Sequence, residues 1–125
     1  MFLATSNPTR QLLSMRYIGQ VIPAELERSE PDVRSLVAGL SPGFRLLVDL
    51  SQLDSMDLAC QSEIGRMMEL FNQAGVGMIV RVIPKPDKDI GFSILTIFHY
   101  PRHPQVITCE NILEAGQHLA VGEPA

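Results

Sequence analysis

Acidic and hydroxyl side chains between Asp49 and Ser62 are the ones whose types and spacing could support chemistry. Asp49 lies near the end of an apolar run, and Asp57 precedes a segment with helical periodicity. Because ligands and partners of open α/β sheets meet the carboxyl ends of the strands, these carboxylates could position a phosphate-linked group or a protein partner. The alternative is structural, with Asp57 capping the helix and Asp49 accepting hydrogen bonds from loop amides. Ser55 and Ser62 add hydroxyls, of which Ser55 could itself be a plain cap.

The densest polar cluster is the sequence HYPRH at residues 99–103. Two histidines four positions apart can bind one metal ion when they share a helix face. Pro101 lies between His99 and His103 and breaks a helix, so no metal site is predicted. Arg102 and His103 could contact a phosphate or a carboxylate, and a solvated loop is the alternative.

No catalytic residues can be assigned from the sequence. Cys60 lies near a predicted helix start, which lowers a thiol pKa, but its place on an apolar helix face predicts burial, which raises it. With no CxxC motif, Cys60 and Cys109 are expected to be free thiols. The sequence has no glycine-rich phosphate loop, GxSxG elbow or metal-binding helix motif. We therefore expect a protein that is not an enzyme and needs no cofactor.

Composition narrows the class of protein further. The 125 residues, of which 46% are hydrophobic, fit one domain with one packed core. The ten basic residues are scattered and the net charge is −4, so a nucleic-acid partner is not expected. The first ten residues are too short and polar for a signal peptide, and no apolar run reaches the roughly 18 residues of a membrane helix. These features predict a cytoplasmic protein.

The hydrophobic pattern predicts strands that alternate with helices. Strands are expected at residues 12–21, 44–50, 78–83 and 106–108. A polar helical stretch is expected to begin at Pro23. Helices are expected at about 31–40, with Pro31 in the first turn, between Asp57 and Gly75, and at 90–99 and 110–119. Such alternation with short connections predicts a single α/β domain with four to five mostly parallel strands. Residues 1–10 are expected to form a flexible arm and residues 121–125 a frayed tail.

Within residues 11–120 this chain resembles the STAS domains, the family of the bacterial anti-sigma-factor antagonists. That family carries a buried strand ending in V-D-L-S, then a hydrophobic-Asp-Ser-Ser/Thr-Gly turn and a helix. The segments Val48–Ser51 and Met56–Asp57 match these two parts at the expected separation. The resemblance implies a STAS-like fold.

The same resemblance places the phosphoacceptor hydroxyl of the family at Leu58 or Ala59, and neither residue can accept phosphate. Cys60 stands where the family usually has glycine. In this respect the chain is similar to a STAS-like branch without an acceptor, which is related in fold to the lipid-transferring CRAL-TRIO domains.

Two hypotheses for function follow. The first is a non-enzymatic regulatory module that docks against a protein partner or forms a homodimer. Its surface would consist of Asp49, Ser51, Ser55, Asp57, Leu58, Ala59 and Ser62. The second is a carrier with a small apolar ligand between the sheet and the helix at residues 90–98. Its ligand would be contacted by Phe92, His99, Arg102 and His103. A carrier requires an apolar cavity of several hundred Å3, on the order of 300 or more.

Overall fold

Five strands and three α-helices are present in the computed structural model, which describes residues 1–83 and 105–121. The strands are β1 (Phe2–Asn7), β2 (Leu12–Val21), β3 (Arg45–Met56), β4 (Met78–Val82) and β5 (Gln105–Cys109). The helices are α1 (Pro23–Ala38), α2 (Gln61–Gln73) and α3 (Ile112–Val121), and a 3-10 turn (Leu58–Cys60) precedes α2. The helix predicted at residues 90–99 and the tail from residue 122 onward lie outside the described residues. No helix within the described ranges is long and apolar enough to span a membrane.

The strands form a sheet in the order β1-β2-β3-β4-β5. β1 pairs antiparallel with β2, whereas the other three pairings are parallel. Helix α1 connects β2 to β3, and α2 connects β3 to β4. The predicted single α/β domain with a mostly parallel sheet is therefore confirmed.

The prediction of a flexible arm at residues 1–10 is wrong for most of that segment, because Phe2–Asn7 forms the edge strand β1. Phe2 lies opposite Tyr17 in the ladder, and the two rings meet edge to face with centroids 5.0 Å apart. The Phe2 amide also donates a hydrogen bond of 2.8 Å to the carboxylate of Glu25 in α1. These partners are distant in sequence, so the segment is ordered by contacts that its own composition does not reveal.

Helix α1 begins at Pro23, as the predicted helical stretch does, but it continues through Pro31, which was predicted to lie in a first helical turn. A proline within a helix removes the hydrogen bond to the carbonyl four residues earlier, which belongs to Glu27. Both Glu27 and Pro31 are exposed, so water can bind that carbonyl. Burial of Leu26 and Val33 on the opposite face stabilises the helix on both sides of the proline.

Strand β3 is longer than the predicted strand at residues 44–50 and ends at Met56. Its first part, Arg45–Asp49, pairs with both β2 and β4, and its later part pairs with β2 alone. Two register shifts interrupt the pairing of β2 with β3, each with an extra residue on β3. Such bulges bend a strand. Beyond Asp49, β3 continues past the carboxyl end of β4 at Val82.

Buried apolar side chains pack on both faces of the sheet. On one face, helices α1 and α2 cover the larger cluster, with Leu26, Val33, Ile64, Met67 and Phe71 as their buried contributions. On the other face, Ala115 and Leu119 of α3 pack against Leu12, Val80, Val82 and Cys109. Where β3 and β4 pair with each other they are therefore covered on both sides, as their nearly continuous apolar sequences predict.

Helix α3 contacts the sheet with only part of the predicted face. The sequence pattern predicts that Ile112, Leu113 and either Ala115 or Gly116 pack inward. Ala115 is buried as predicted, together with Leu119 one helical turn later, whereas the side chains of Ile112 and Leu113 are 51% and 73% exposed. The inward stripe of α3 is thus narrow, and its first turn carries exposed apolar residues.

Candidate functional site

The turn between β3 and α2 is shaped by Asp57, which acts as the predicted cap. Its carboxylate accepts a hydrogen bond of 2.8 Å from the backbone amide of Ala59. Its own amide donates to the carbonyl of Val21 at 3.4 Å, and its carbonyl accepts from the amide of Cys60 at 2.9 Å. These bonds satisfy amides at the start of the 3-10 turn and fix the turn against the end of β2.

Replacing Asp57 by Ala is expected to lower the free energy of unfolding by about 1 kcal/mol, because the cap of the 3-10 turn is lost. Asp57→Asn keeps a side-chain oxygen that can accept from Ala59 and should retain most of the stability. Urea unfolding of the three proteins measures the difference. Equal stability of the Ala variant and the wild type would show that the cap contributes nothing.

Four of the predicted site residues share the surface of this turn. Asp57, Leu58, Ala59 and Ser62 are all exposed. Leu58 is the most apolar of them, and 54% of its surface is accessible. Ser62, in the first turn of α2, also lines an open groove between α1 and α2. We call residues Asp57–Ser62 the exposed turn.

Within the exposed turn Cys60 is the exception, because it is fully buried, with its sulfur 3.6 Å from the carbonyl oxygen of Val21. Burial, followed by the nearby carboxylate of Asp57, raises the pKa of its thiol from 9.0 to about 11. The predicted burial of Cys60 is confirmed. Its thiol is protonated near neutral pH, and it anchors the turn by packing rather than by reacting.

Alkaline pH is expected to destabilise the fold through this same region. Burial raises the pKa of both Cys60 and Tyr17, so both groups ionise more readily in the unfolded chain than in the folded one. The contribution of Cys60 to stability is complete below pH 9 and is lost as the pH rises through about 11. Urea unfolding across this range should show a falling stability, with a smaller fall in Cys60→Ala. An equal fall in the variant would contradict the assignment.

Asp49 is buried within β3, at 5% exposure, and does not belong to the exposed turn. One carboxylate oxygen accepts from the amide of Ser51 at 2.9 Å and from its hydroxyl at 2.6 Å. The other lies 3.6 Å from the guanidinium of Arg16 on β2. The carboxylate thus accepts hydrogen bonds from a nearby amide and hydroxyl group, which is the structural alternative considered for Asp49 in the sequence.

The seven residues predicted as one docking surface therefore separate into two sets. By the rise of an extended strand and the register with β2, Asp49 lies roughly 20 Å and Ser51 roughly 15 Å along β3 from Asp57. Ser55 is half-buried between them and pairs with Gln20. The sequence suggested proximity because its predicted strand ended at Leu50, before the extension that separates the two sets.

A second polar group lies at the carboxyl end of β5, and the sequence did not predict it. Cys109 ends β5, while Glu114 and His118 are one helical turn apart on α3, and their ligand atoms lie within 4.8 Å of one another. Burial, followed by the charge of Glu114, raises the pKa of the Cys109 thiol. The spacing C-x4-E-x3-H could have suggested this group, but only with the direction of α3 already known.

The residues predicted to contact an apolar ligand, namely Phe92, His99, Arg102 and His103, lie outside the described residues. Within the described ranges, the cavity between the sheet and α2 has a volume of about 20 Å3. Its lining includes Met15, Tyr17, Ile64 and Phe71. Ligand pockets are usually on the order of 300–1,000 Å3, so this cavity is too small for a ligand.

Comparison with solved structures identifies the fold, whereas no family model and no curated protein matches the sequence. The anti-sigma factor antagonist SpoIIAA in its unphosphorylated form is similar with a TM-score of 0.62 at 18% identity, covering 96% of this chain and 98% of that chain. An uncharacterised DUF3478-family protein from Shewanella loihica, with a SpoIIAA-like fold, is similar with a TM-score of 0.61 at 16% identity. The match covers 95% of this chain and 92% of that chain. The phosphorylated form of SpoIIAA, a Bacillus cell fate determinant, is similar with a TM-score of 0.58 at 16% identity. The match covers 94% of this chain and 99% of that chain. The chain thus has the STAS-like fold of SpoIIAA.

Proposed function

We propose that this chain is a non-enzymatic regulatory module that binds a protein partner through the exposed turn. The observation that carries the proposal is Leu58, an apolar side chain held 54% exposed at the start of the 3-10 turn. The fold supports the class of function, since the similar structures include an anti-sigma factor antagonist. The two free, buried cysteines fit a reducing compartment, and we place the module in the cytoplasm.

Leu58 is suited to be an anchor because the turn that carries it is already ordered. The Asp57 cap and the buried Cys60 fix its backbone, so binding does not have to order a flexible loop. Burial of a leucine side chain contributes about 1.5–3 kcal/mol relative to full exposure. The polar residues around it, Asp57 and Ser62, would form the rim of the interface.

We propose that partner binding is not switched by phosphorylation at Leu58 or Ala59. The resemblance to STAS domains places the acceptor hydroxyl at Leu58 or Ala59, and neither side chain has one. A phosphate at a helix start adds a charge of about −2 and would disrupt an apolar contact.

The proposal of a module without catalysis rests on the roles of the two carboxylates. Asp57 caps the turn, and Asp49 is engaged by Ser51 and Arg16. A general acid or base needs a carboxylate within hydrogen-bond reach of a substrate proton. Both carboxylates have structural partners that account for their positions.

Native mass spectrometry of the untagged protein, purified from its own host, tests this function. We expect a protein adduct or a dimer without additional small-molecule mass. A reproducible bound small molecule, lost on denaturation, would contradict the module and favour the carrier. A monomer with neither type of bound mass would also contradict a stable complex.

A further inference from the structure

Cys109, Glu114 and His118 come from two rigid elements that meet on the face of the sheet covered by α3. Cys109 is the last residue of β5, and its carbonyl accepts a hydrogen bond of 3.0 Å from the amide of Ile83. Glu114 and His118 are four positions apart, so their side chains project from the same side of α3. The positions of all three are set by the sheet and by the helix rather than by a loose loop.

The three side chains offer sulfur, nitrogen and oxygen atoms, a combination of ligands that favours zinc. A thiolate, an imidazole and a carboxylate are the three types of protein ligand found at zinc sites. Thiolate is a soft ligand that does not suit magnesium or calcium, which prefer oxygen atoms. Three protein ligands with a water molecule in the fourth position complete a tetrahedron around zinc.

The observed distances are compatible with such a site after small side-chain rotations. Bond lengths of about 2.0–2.3 Å place the ligand atoms of a zinc tetrahedron roughly 3.5 Å apart. The ligand atoms of Cys109, Glu114 and His118 already lie within 4.8 Å of one another. Glu114 and His118 are half-buried on the helix surface, so both can rotate toward the buried sulfur of Cys109.

Hydrogen bonds around Glu114 orient it for this role. Its Oε2 atom accepts from the amide of Glu110 at 3.1 Å, which leaves the second oxygen for a metal ion. Its own amide donates to the side-chain oxygen of Asn111 at 2.8 Å, which caps the first turn of α3. Partners of this kind fix the orientation of ligands at metal sites.

We propose that Cys109, Glu114 and His118 bind one Zn²⁺ ion. The ion would connect the carboxyl end of β5 to the first two turns of α3, and a water molecule would be its fourth ligand. This inference is independent of the proposed docking function, because the exposed turn follows β3 and Cys109 ends β5.

Titration of the untagged, fully reduced protein with Co²⁺ tests the site, since cobalt replaces zinc in tetrahedral sites and absorbs light. One equivalent of Co²⁺ should produce a thiolate-to-cobalt charge-transfer band, and one equivalent of Zn²⁺ should remove it. Zn²⁺ should also raise the melting temperature, because it binds the folded state. Absence of the charge-transfer band in the wild type would overturn the proposal.

Variants identify the ligands. Cys109→Ser should abolish the charge-transfer band. Glu114→Gln and His118→Gln should each weaken Zn²⁺ binding at least tenfold. Loss of a residue that only hydrogen-bonds to a metal ligand already weakens binding by about that much, and loss of a ligand should cost more. Circular dichroism confirms that each variant is folded. Should Cys109→Ser fail to fold, the half-buried His118→Gln still decides the question, and unchanged binding in it would refute the site.

Matched controls exclude other ligands in the chain. Cys60→Ala and Glu110→Gln replace a second buried cysteine and a neighbouring carboxylate, and both should bind Zn²⁺ as the wild type does. The double variant His99→Gln/His103→Gln should do the same. Loss of binding in the double variant, with His118→Gln unaffected, would assign the metal to residues 99–103 and overturn the proposal.

Discussion

Leu58→Asp is expected to weaken partner binding by about 2 kcal/mol or more, roughly a 30-fold rise in Kd. The substitution places a charge where the proposed interface buries an apolar anchor, and a charge without a partner is costly to desolvate. Leu58 is more than half exposed in the free protein, so the variant should fold and melt as the wild type does. Co-purification from the host, quantified by mass spectrometry, measures the loss.

Leu113→Asp is the matched control for this experiment. Leu113 is 73% exposed on α3, far from the exposed turn in the sequence and on the helix that covers the other face of the sheet. The same change of an exposed leucine to aspartate should leave partner binding intact there. Equal loss in both variants would indicate a general effect of added charge, and no loss in Leu58→Asp would contradict the exposed turn as the docking surface.

The same pair of variants decides whether the partner is a second copy of the chain. If the protein forms a homodimer through the exposed turn, Leu58→Asp should convert it to a monomer in analytical ultracentrifugation, and Leu113→Asp should remain a dimer. A dimer that survives Leu58→Asp would place the self-contact elsewhere.

Local patterns were sufficient to predict most of the architecture. The apolar run before Asp49 indicates a strand covered on both faces, and the spacing of Ile64, Met67 and Phe71 indicates a helix with one buried side. The end of α2 was predicted from Gly75, whose φ of 86° suits glycine. Each of these features depends on residues close together in the chain.

The features that were missed depend on distant contacts. β1 is ordered by pairing with β2 and by the contact of Phe2 with Tyr17, and its own sequence contains few large apolar residues. Helix α1 tolerates Pro31 because packing of its buried side outweighs the lost hydrogen bond. Neither the pairing nor the packing can be read from a short window of sequence.

In the candidate site, too, features that depend on nearby residues were predicted and features that depend on distant contacts were missed. The cap by Asp57 was predictable because it acts on a residue two positions away. The separation of Asp49 from Asp57 could not be predicted, because the bulges in β3 depend on how that strand pairs with β2. The group of Cys109, Glu114 and His118 was missed for a related reason, since it forms only where α3 folds back over the end of β5.

Arg45 is a further residue that the sequence did not single out, because it lies within an apolar run. Its guanidinium is buried, with only 5% of the residue exposed. It donates hydrogen bonds to the carbonyl of Leu119 in the last turn of α3 and, at 2.7 Å, to the carbonyl of Arg10. A cation at a helix carboxyl end also interacts favourably with the helix dipole. Arg45 thus joins α3 and the β1–β2 connection to the centre of the sheet.

Arg45→Met is expected to lower the free energy of unfolding by about 3 kcal/mol, since hydrogen bonds from a charged donor each contribute about 1.5–3 kcal/mol. Methionine fills much of the same space, so the loss reports the hydrogen bonds more than a cavity. Arg45→Lys keeps the charge but cannot span both carbonyls with a planar fork, so its loss should be intermediate. Urea unfolding measures all three proteins.

Arg34→Met is the control, because Arg34 has a side chain 58% exposed and forms a surface ion pair with Glu30 at 3.0 Å. Such a pair contributes about 0.5 kcal/mol or less, so this variant should stay close to the wild type. Hydrogen exchange adds a readout specific to Arg45, since its loss should speed exchange in α3 more than in α2. A uniform increase across both helices would mean that Arg45 stabilises the whole core and does not selectively hold α3 in place.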